Sequence, residues 1–371
     1  MKYYIIAGEA SGDLHASNLM KGIIATDEEA EFRFWGGDLM EAVGGTLVKH
    51  YRDLAFMGFV EVAKNLRTIL GNIKMCKADI ERYGADVLIL VDYPGFNLRI
   101  ADWAKKQGLK TFYYISPQIW AWHKNRIHQI KQNVDRMFVI LPFEKAFYEK
   151  HNYEVEFHGH PLIDVTENHP KNSNFLEQNQ LSDKPIIALL PGSRRQEIDR
   201  LLSVMLTVIP QFSDYQFVIA AAAATPLAVY ETILAKHNID CHIIQHQTYD
   251  LLRHAQAALV TSGTATLETA LFNVPQVVCY KTSPLTYLIA KNLVDISYIS
   301  LVNLIADRLL VKELIQGECN VQNLTIELSA ILKEDKANTI KAGYAALKSQ
   351  LGDIGVSEKI GERMVNLLIN R

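Results

Sequence analysis

Residues 86–91 read Asp-Val-Leu-Ile-Leu-Val, a strand-length run with no polar side chain after its first position. A strand on a half-exposed sheet alternates apolar and polar residues. An unbroken run therefore implies burial on both faces, as in a parallel sheet covered by helices. Short apolar runs recur at residues 2–7, 111–115 and 136–141, separated by amphipathic helical sequence. A second series follows at 185–190, 216–220, 242–244, 257–261 and 276–280, and helices fill the tail from about residue 329. Between the two series, residues 157–170 contain His158-Gly159-His160-Pro161, and a polar stretch continues to Gln180; this reads as a linker. The expectation is an α/β chain of two Rossmann-like, doubly wound domains facing a cleft. Its boundaries fall at residues 1–165 and 166–344, with C-terminal helices over about 345–371 free to pack back on the first domain. The length of 371 residues agrees, because it exceeds the size at which a single core stops growing.

Composition narrows the partners. Charged residues make up 21% of the chain and the formal net charge is −3, whereas a nucleic-acid surface is basic. Nucleic acid is not expected as a partner. Cys76, Cys241, Cys279 and Cys319 form no C-x-x-C pair, which argues against a disulfide framework or zinc site and for a cytoplasmic setting. Glu9 cuts the N-terminal apolar stretch too short for an export signal. The run at 217–224 is short and soon meets Pro226, so no membrane-spanning helix is expected.

Ligands of open α/β sheets bind beyond the carboxyl ends of strands, which directs attention to four segments. Thr261-Ser262-Gly263-Thr264-Ala265 follows one strand and opens a helix, whose N-terminus offers unpaired N–H groups to an anion. Glu268 lies four residues beyond Thr264 on the same helical face and could hold the two hydroxyls of a ribose. The alternative is a plain helix cap with a dipole-favouring acid. Pro191-Gly192-Ser193-Arg194-Arg195 is a glycine turn whose guanidinium groups suit a diphosphate; the alternative is a solvated helix start. Asp92 ends the 86–91 strand before Tyr93-Pro94-Gly95. It is either a proton acceptor with a pKa raised by desolvation or a turn-forming residue. The loop Ala7-Gly8-Glu9-Ala10-Ser11-Gly12-Asp13 fits neither common nucleotide fingerprint. Gly8, Glu9, Ser11 and Gly12 read instead as an acceptor-side loop or a plain strand-to-helix turn.

Two further features need weighing. His158 and His160 have no third ligand at useful spacing, so no metal is expected. Across residues 55–80, Phe59, Val62, Leu66, Ile69 and Ile73 recur at helical spacing among Lys64, Arg67, Lys74 and Lys77. That pattern describes either a core-facing amphipathic helix or a basic apolar face lying on an anionic membrane.

Taken in order, these segments resemble the lipid A disaccharide synthase family of Gram-negative bacteria. The resemblance runs nearly end to end. It also includes Met57-Gly58-Phe59-Val60-Glu61-Val62, Ser116-Pro117-Gln118-Ile119-Trp120-Ala121-Trp122, Leu141-Pro142-Phe143-Glu144, Gly159-His160-Pro161, and Asn303-Leu304-Ile305-Ala306 with Val311, Glu313 and Gln316. It implies the GT-B fold and an inverting glycosyl transfer without metal or cofactor. UDP-2,3-diacylglucosamine would be the donor and 2,3-diacylglucosamine 1-phosphate (lipid X) the acceptor. The products would be the β-1,6 disaccharide 1-phosphate and UDP. Asp92 matches the family's catalytic acid, read as general base. Arg194, Ser262, Gly263, Thr264 and Glu268 match its UDP-binding positions, and Asn303 matches another residue of the donor pocket. Many members carry an acid where this chain has Gly95, which leaves the base role in this segment to Asp92. Diacylated substrates imply peripheral contact with the inner membrane, and the resemblance also admits a homodimer. The competing readings are another GT-B enzyme using UDP-N-acetylglucosamine, either a 2-epimerase or a peptidoglycan-precursor transferase, and a nucleotide-sugar-binding protein without catalysis.

Overall fold

A computed structural model describes residues 1–54, 66–122, 125–284, 286–288 and 296–370. The chain divides into two compact units, Met1–Asp164 with Leu351–Arg371, and Val165–Gln350. Each is a parallel sheet flanked by helices.

The first unit holds β1 (Lys2–Ala7), β2 (Glu31–Gly36), β3 (Thr46–His50), β4 (Val87–Val91), β5 (Lys110–Tyr114), β6 (Arg136–Val139) and β7 (Glu156–Phe157). They lie in the order β3-β2-β1-β4-β5-β6-β7, and the order reverses between β1 and β4. That reversal sets Ala7 beside Val91 at the carboxyl ends of two fully buried strands. Ligands of doubly wound sheets bind at such a switch point. β2 escapes a purely apolar search because Glu31 and Arg33 interrupt it. Arg33 is tied to the carboxylate of Asp79 by two hydrogen bonds, of 2.8 and 2.7 Å, so its charge is paired where the strand turns partly inward.

The second unit holds β8 (Ile186–Leu190), β9 (Gln216–Ala221), β10 (His242–Gln245), β11 (Ala255–Thr261), β12 (Gln276–Tyr280) and β13 (Glu313–Ile315), in the order β10-β9-β8-β11-β12-β13. Its reversal falls between β8 and β11, where Leu190 pairs with Val260. The two phosphate-suited turns are therefore neighbours in space although some 70 residues part them in sequence.

Three expectations change on contact with the structure. The stretch read as a linker carries β7 and helices Leu162–Glu167 and Phe175–Gln178, with Leu162, Ile163 and Phe175 buried. The division between the units falls inside the first of those helices. The helix after β1 begins at Ala10, so Ser11 and Gly12 stand in its first turn and the loop shrinks to Gly8-Glu9. Gly12 permits this, since a Cβ there would lie 3.3 Å from the Ala7 Cβ. Finally, Phe59 and Val62 of the basic amphipathic segment lie outside the described residues, as does the Leu66 side chain. Within helix Leu66–Tyr83, Ile73 is buried and Ile69 packs against the core, so both belong to the interior. The large exposed apolar side chains of this helix, among the described residues, are Leu70 and Met75, 55% and 41% exposed, beside exposed Arg67 and Lys74. Among the described residues, no helix is long and apolar enough to cross a membrane.

Candidate functional site

The switch point of the first unit assembles Gly8, Glu9, Asp92 and Tyr93. Asp92 and Tyr93 both adopt left-handed backbone, with φ of 43° and 48°. Such residues cost energy unless the surroundings hold them, and here they are held. The Asp92 N–H donates to the Tyr114 carbonyl at 3.0 Å. Its carbonyl accepts from the Tyr113 hydroxyl at 2.5 Å and from the Asn97 amide at 2.7 Å. The turn lays the Tyr93 ring across Gly8, where any Cβ would come within 2.4 Å of the ring. Gly8 is thus required by Tyr93, a partner 85 positions away that no local motif announces.

With its backbone pinned, Asp92 presents its carboxylate in a poorly solvated setting. Burial pushes its pKa up to about 7, the like charge of Glu9 adds to the rise, and a backbone hydrogen bond from Tyr93 opposes it. A carboxyl group poised there can take a proton near neutral pH. Gly95 is exposed, and a Cβ on it would meet nothing within 4 Å. An acidic side chain at this position would have space, which Gly95 leaves empty.

At the second switch point, Gly192 (φ 108°) turns the chain after β8, and a Cβ on it would lie 3.4 Å from the Thr261 methyl. Arg194 occupies the N-cap position of helix Arg195–Leu206, and its side chain is 60% exposed and paired with Glu197 at 3.1 Å. An exposed pair of this kind contributes little, so the guanidinium is readily exchanged to a phosphate. Gly263 caps helix Thr264–Leu271, and a Cβ on Gly263 would meet nothing within 4 Å. In the first turn of that helix the Thr266 N–H donates to the Gly263 carbonyl at 3.1 Å, and the N–H groups at the very start are placed for an anion's approach beside exposed Thr264.

Two side chains differ from what spacing suggests. The hydroxyl of Ser262 donates to the Ile299 carbonyl at 2.7 Å. Its one proton is thereby spent, so Ser262 shapes the turn and does not donate to a ligand. Asn303 is the second. It is fully buried, its amide nitrogen donates to the Val311 carbonyl and to Glu313 at 2.8 Å each, and its oxygen accepts from the N–H groups of Leu310 and Val311 at 2.8 and 2.9 Å. All of its hydrogen-bonding capacity is used inside the unit.

Glu268 stands one turn into the helix, half-buried, and accepts the Tyr249 hydroxyl at 2.6 Å. Burial raises its pKa, and the bond from Tyr249 acts the other way. Tyr249 is a residue that sequence reasoning missed, because its position in helix Thr248–His254, after β10, carries no motif linking it to Glu268. Tyr249→Phe is expected to leave the carboxylate less firmly oriented; if Glu268 holds a nucleotide ribose, calorimetry would show its binding weakened severalfold. Among the described residues, no group of three or more His, Cys, Asp or Glu could hold a metal ion. His160 is buried with its pKa pushed down to about 3, chiefly by desolvation, and its backbone N–H donates to the Leu351 carbonyl.

Comparison with known proteins separates the readings that this geometry leaves open. In solved structures the fold recurs in S. aureus MnaA with UDP (TM-score 0.68, 14% identity, 100% of this chain and 97% of that one). It recurs also in the UDP-GlcNAc 2-epimerase of Neisseria meningitidis bound to UDP-GlcNAc (TM-score 0.63, 14% identity, all of both chains). At that identity only the fold, GT-B, is shared. Sequence similarity points elsewhere. The chain is 39% identical to the lipid-A-disaccharide synthase of Syntrophus aciditrophicus, over 98% of this chain and 97% of that protein. With that of Geobacter metallireducens it shares 38%, over 98% and 96%. The family model described as lipid-A-disaccharide synthetase matches residues 3–359. That match spans both switch points and every candidate residue on them, so the epimerase and binding-protein alternatives are not favoured: the chain belongs to the lipid-A-disaccharide synthetase family, and it is a glycosyltransferase.

Proposed function

We propose that this chain transfers the 2,3-diacylglucosamine unit of its UDP conjugate to the 6-hydroxyl of 2,3-diacylglucosamine 1-phosphate, releasing UDP. The observation that carries the reading is the family match over residues 3–359, together with a desolvated aspartate at the switch point of the first unit. Asp92 accepts the hydroxyl proton as the acceptor oxygen bonds to the anomeric carbon. The bond from that carbon to the diphosphate oxygen breaks on the opposite face, so configuration inverts. Gly8 and Glu9 line the acceptor side, with Ser11 and Gly12 in the following helical turn. The negative charge that develops on the leaving UDP is taken up by Arg194 and by the N–H groups at Gly263 and Thr264, which are fixed before reaction and need no reorganisation. Glu268 accepts from the ribose hydroxyls. Incubation with the two acylated sugars, followed by mass analysis, is expected to yield the disaccharide 1-phosphate and UDP in equal amounts. A product that retains UDP, or an epimerised donor, would contradict the reading.

Glu268→Ala and Arg194→Ala are each expected to weaken UDP binding by about 1–3 kcal/mol, the cost of losing a charged hydrogen-bond partner. Unchanged affinity in both would remove the second-unit turns from the donor site. Transfer is also expected to survive exhaustive EDTA treatment, because arginine and helix N–H groups carry the charge. Activity lost to EDTA and restored by Mg²⁺ or Mn²⁺ would assign that work to a metal.

Diacylated substrates favour a membrane surface, and we assign the peripheral contact with the inner membrane to the exposed residues Arg67, Leu70, Lys74 and Met75. Along this helix Leu70 lies three positions after Arg67 and four before Lys74, which sets an apolar group beside basic ones as an anionic interface requires, and Met75 follows Lys74 directly. The double variant Leu70→Glu, Met75→Glu is expected to lose flotation with anionic vesicles while keeping UDP affinity. Undiminished flotation would exclude these residues.

A further inference from the structure

The mechanism above leaves unused a buried carboxylate in the second unit. Glu313 opens β13, the strand beside β12, and is almost fully buried. Its two oxygens accept four hydrogen bonds. Three come from the N–H of Ile299 at 3.0 Å, the N–H of Ser300 at 2.9 Å and the hydroxyl of Ser300 at 2.7 Å. The fourth is the Asn303 amide at 2.8 Å. This one side chain therefore binds β13 to the start of helix Leu301–Ala306, whose N-cap is Ser300.

The segment it holds is the one that holds Ser262. The Ile299 carbonyl, one peptide from two of those N–H donors, accepts the Ser262 hydroxyl at 2.7 Å. A second route runs through the sheet. Glu313 is in register with Val278 on β12, and the carbonyl of the next residue, Cys279, accepts the Ser262 N–H at 3.2 Å. Ser262 is gripped at both its hydroxyl and its N–H; the hydroxyl grip leads through Ile299 to the Glu313 carboxylate, and the N–H grip belongs to the sheet backbone, where Cys279 is in register with Leu314.

We infer that Glu313 is a positioning residue for the donor site: through Ile299 it fixes Ser262 and thereby aims the N–H groups of Gly263 and Thr264 at the UDP diphosphate. This rests on the reading of the Ser262–Thr264 turn as the diphosphate site. Asn303 belongs to the same device, which gives that residue a use its lack of free hydrogen-bonding groups otherwise denies. A carboxylate is required because all four partners are donors. Glutamine would turn an NH₂ group toward at least one of them and leave a buried N–H unsatisfied.

The test is a double-mutant cycle on UDP affinity with Glu313→Gln and Ser262→Ala in the full chain, with Glu268→Ala measured alongside. Glu313→Gln alone is expected to raise the Kd for UDP roughly five- to fiftyfold, with the donor KM rising in parallel and the acidic limb of the pH profile unmoved. In the Ser262→Ala background the same change is expected to alter Kd by less than about twofold, because the link it acts through is already cut. General destabilisation would instead lower the melting temperature in both backgrounds and leave the effects on Kd additive. Additive effects, or unchanged affinity in folded Glu313→Gln while Ser262→Ala and Glu268→Ala both weaken binding, overturn the proposal alone. Unchanged affinity in both Ser262→Ala and Glu268→Ala overturns the donor-turn reading and this inference with it. Should Glu313→Gln fail to fold, Ser300→Ala, which removes one of the four donors, carries the same cycle with the same deciding outcome.

Discussion

Replacing Asp92 with Asn is expected to lower kcat by about 10²–10⁴-fold, equivalent to about 3–5 kcal/mol of barrier, while UDP affinity stays near its original value. Asparagine tolerates left-handed backbone as well as aspartate does, so the turn at φ 43° and its bonds to Tyr113, Asn97 and Tyr114 persist. What disappears is the capacity to accept a proton. The pH dependence adds a second test. Base catalysis uses the ionised carboxylate, and with the pKa raised to about 7, kcat/KM should fall as the pH drops through that value. The leading cause of the rise is burial, which a remote substitution leaves in place; the second is Glu9. Glu9→Gln removes the like charge, favours ionisation of Asp92 and should move the acidic limb to lower pH. Near-original turnover in a folded Asp92→Asn protein, or an acidic limb that survives in it, would take the base role from this residue.

The second large effect is on stability. Helix Val356–Ile369 lies on helix Ala10–Ile24 and buries Val356, Ile360, Met364, Val365 and Leu368 in the first unit's core. The approach depends on two glycines. A Cβ on Gly22 would lie 2.4 Å from the Ser357 carbonyl oxygen, and one on Gly361 would lie 2.4 Å from the Gly22 carbonyl carbon. In both cases the obstacle is backbone, which cannot rotate away. Gly361→Leu must drive the helices apart and loosen all five buried side chains, at a cost of about 3 kcal/mol or more. For a unit of this size that corresponds to a fall in melting temperature of about 6–12 °C. An unchanged melting profile would show that the helices do not make this contact. Because the substitution leaves the second unit untouched, UDP affinity serves as the control.

How much of this could be read in the chain alone depends on whether the controlling interaction is local. The parallel strands could, because burial on both faces removes polar residues from the run itself, as in Val87–Val91 and Ile186–Leu190. Strand ends followed by glycine turns could too, since a turn's requirement for small residues is met within a few positions. Those two features suffice to name Asp92, Gly192 and the Ser262–Glu268 segment. The strands that escaped are short, such as Glu156–Phe157 and Glu313–Ile315, or carry charges neutralised from far away, as Arg33 is by Asp79. Tertiary structure alone decided which loops are neighbours, because strand order is set by crossovers that leave no local trace. It placed Tyr93 over Gly8 and Glu9 near Asp92 by pairing β1 with β4. It also decided which polar residues face inward. Nothing local in the sequence marks Asn303 and Glu313 as buried, yet the burial of each is offset by hydrogen bonds that exist only once helix Leu301–Ala306 meets β13. A buried polar side chain is tolerable only with its partners in place, and those partners are supplied by the fold.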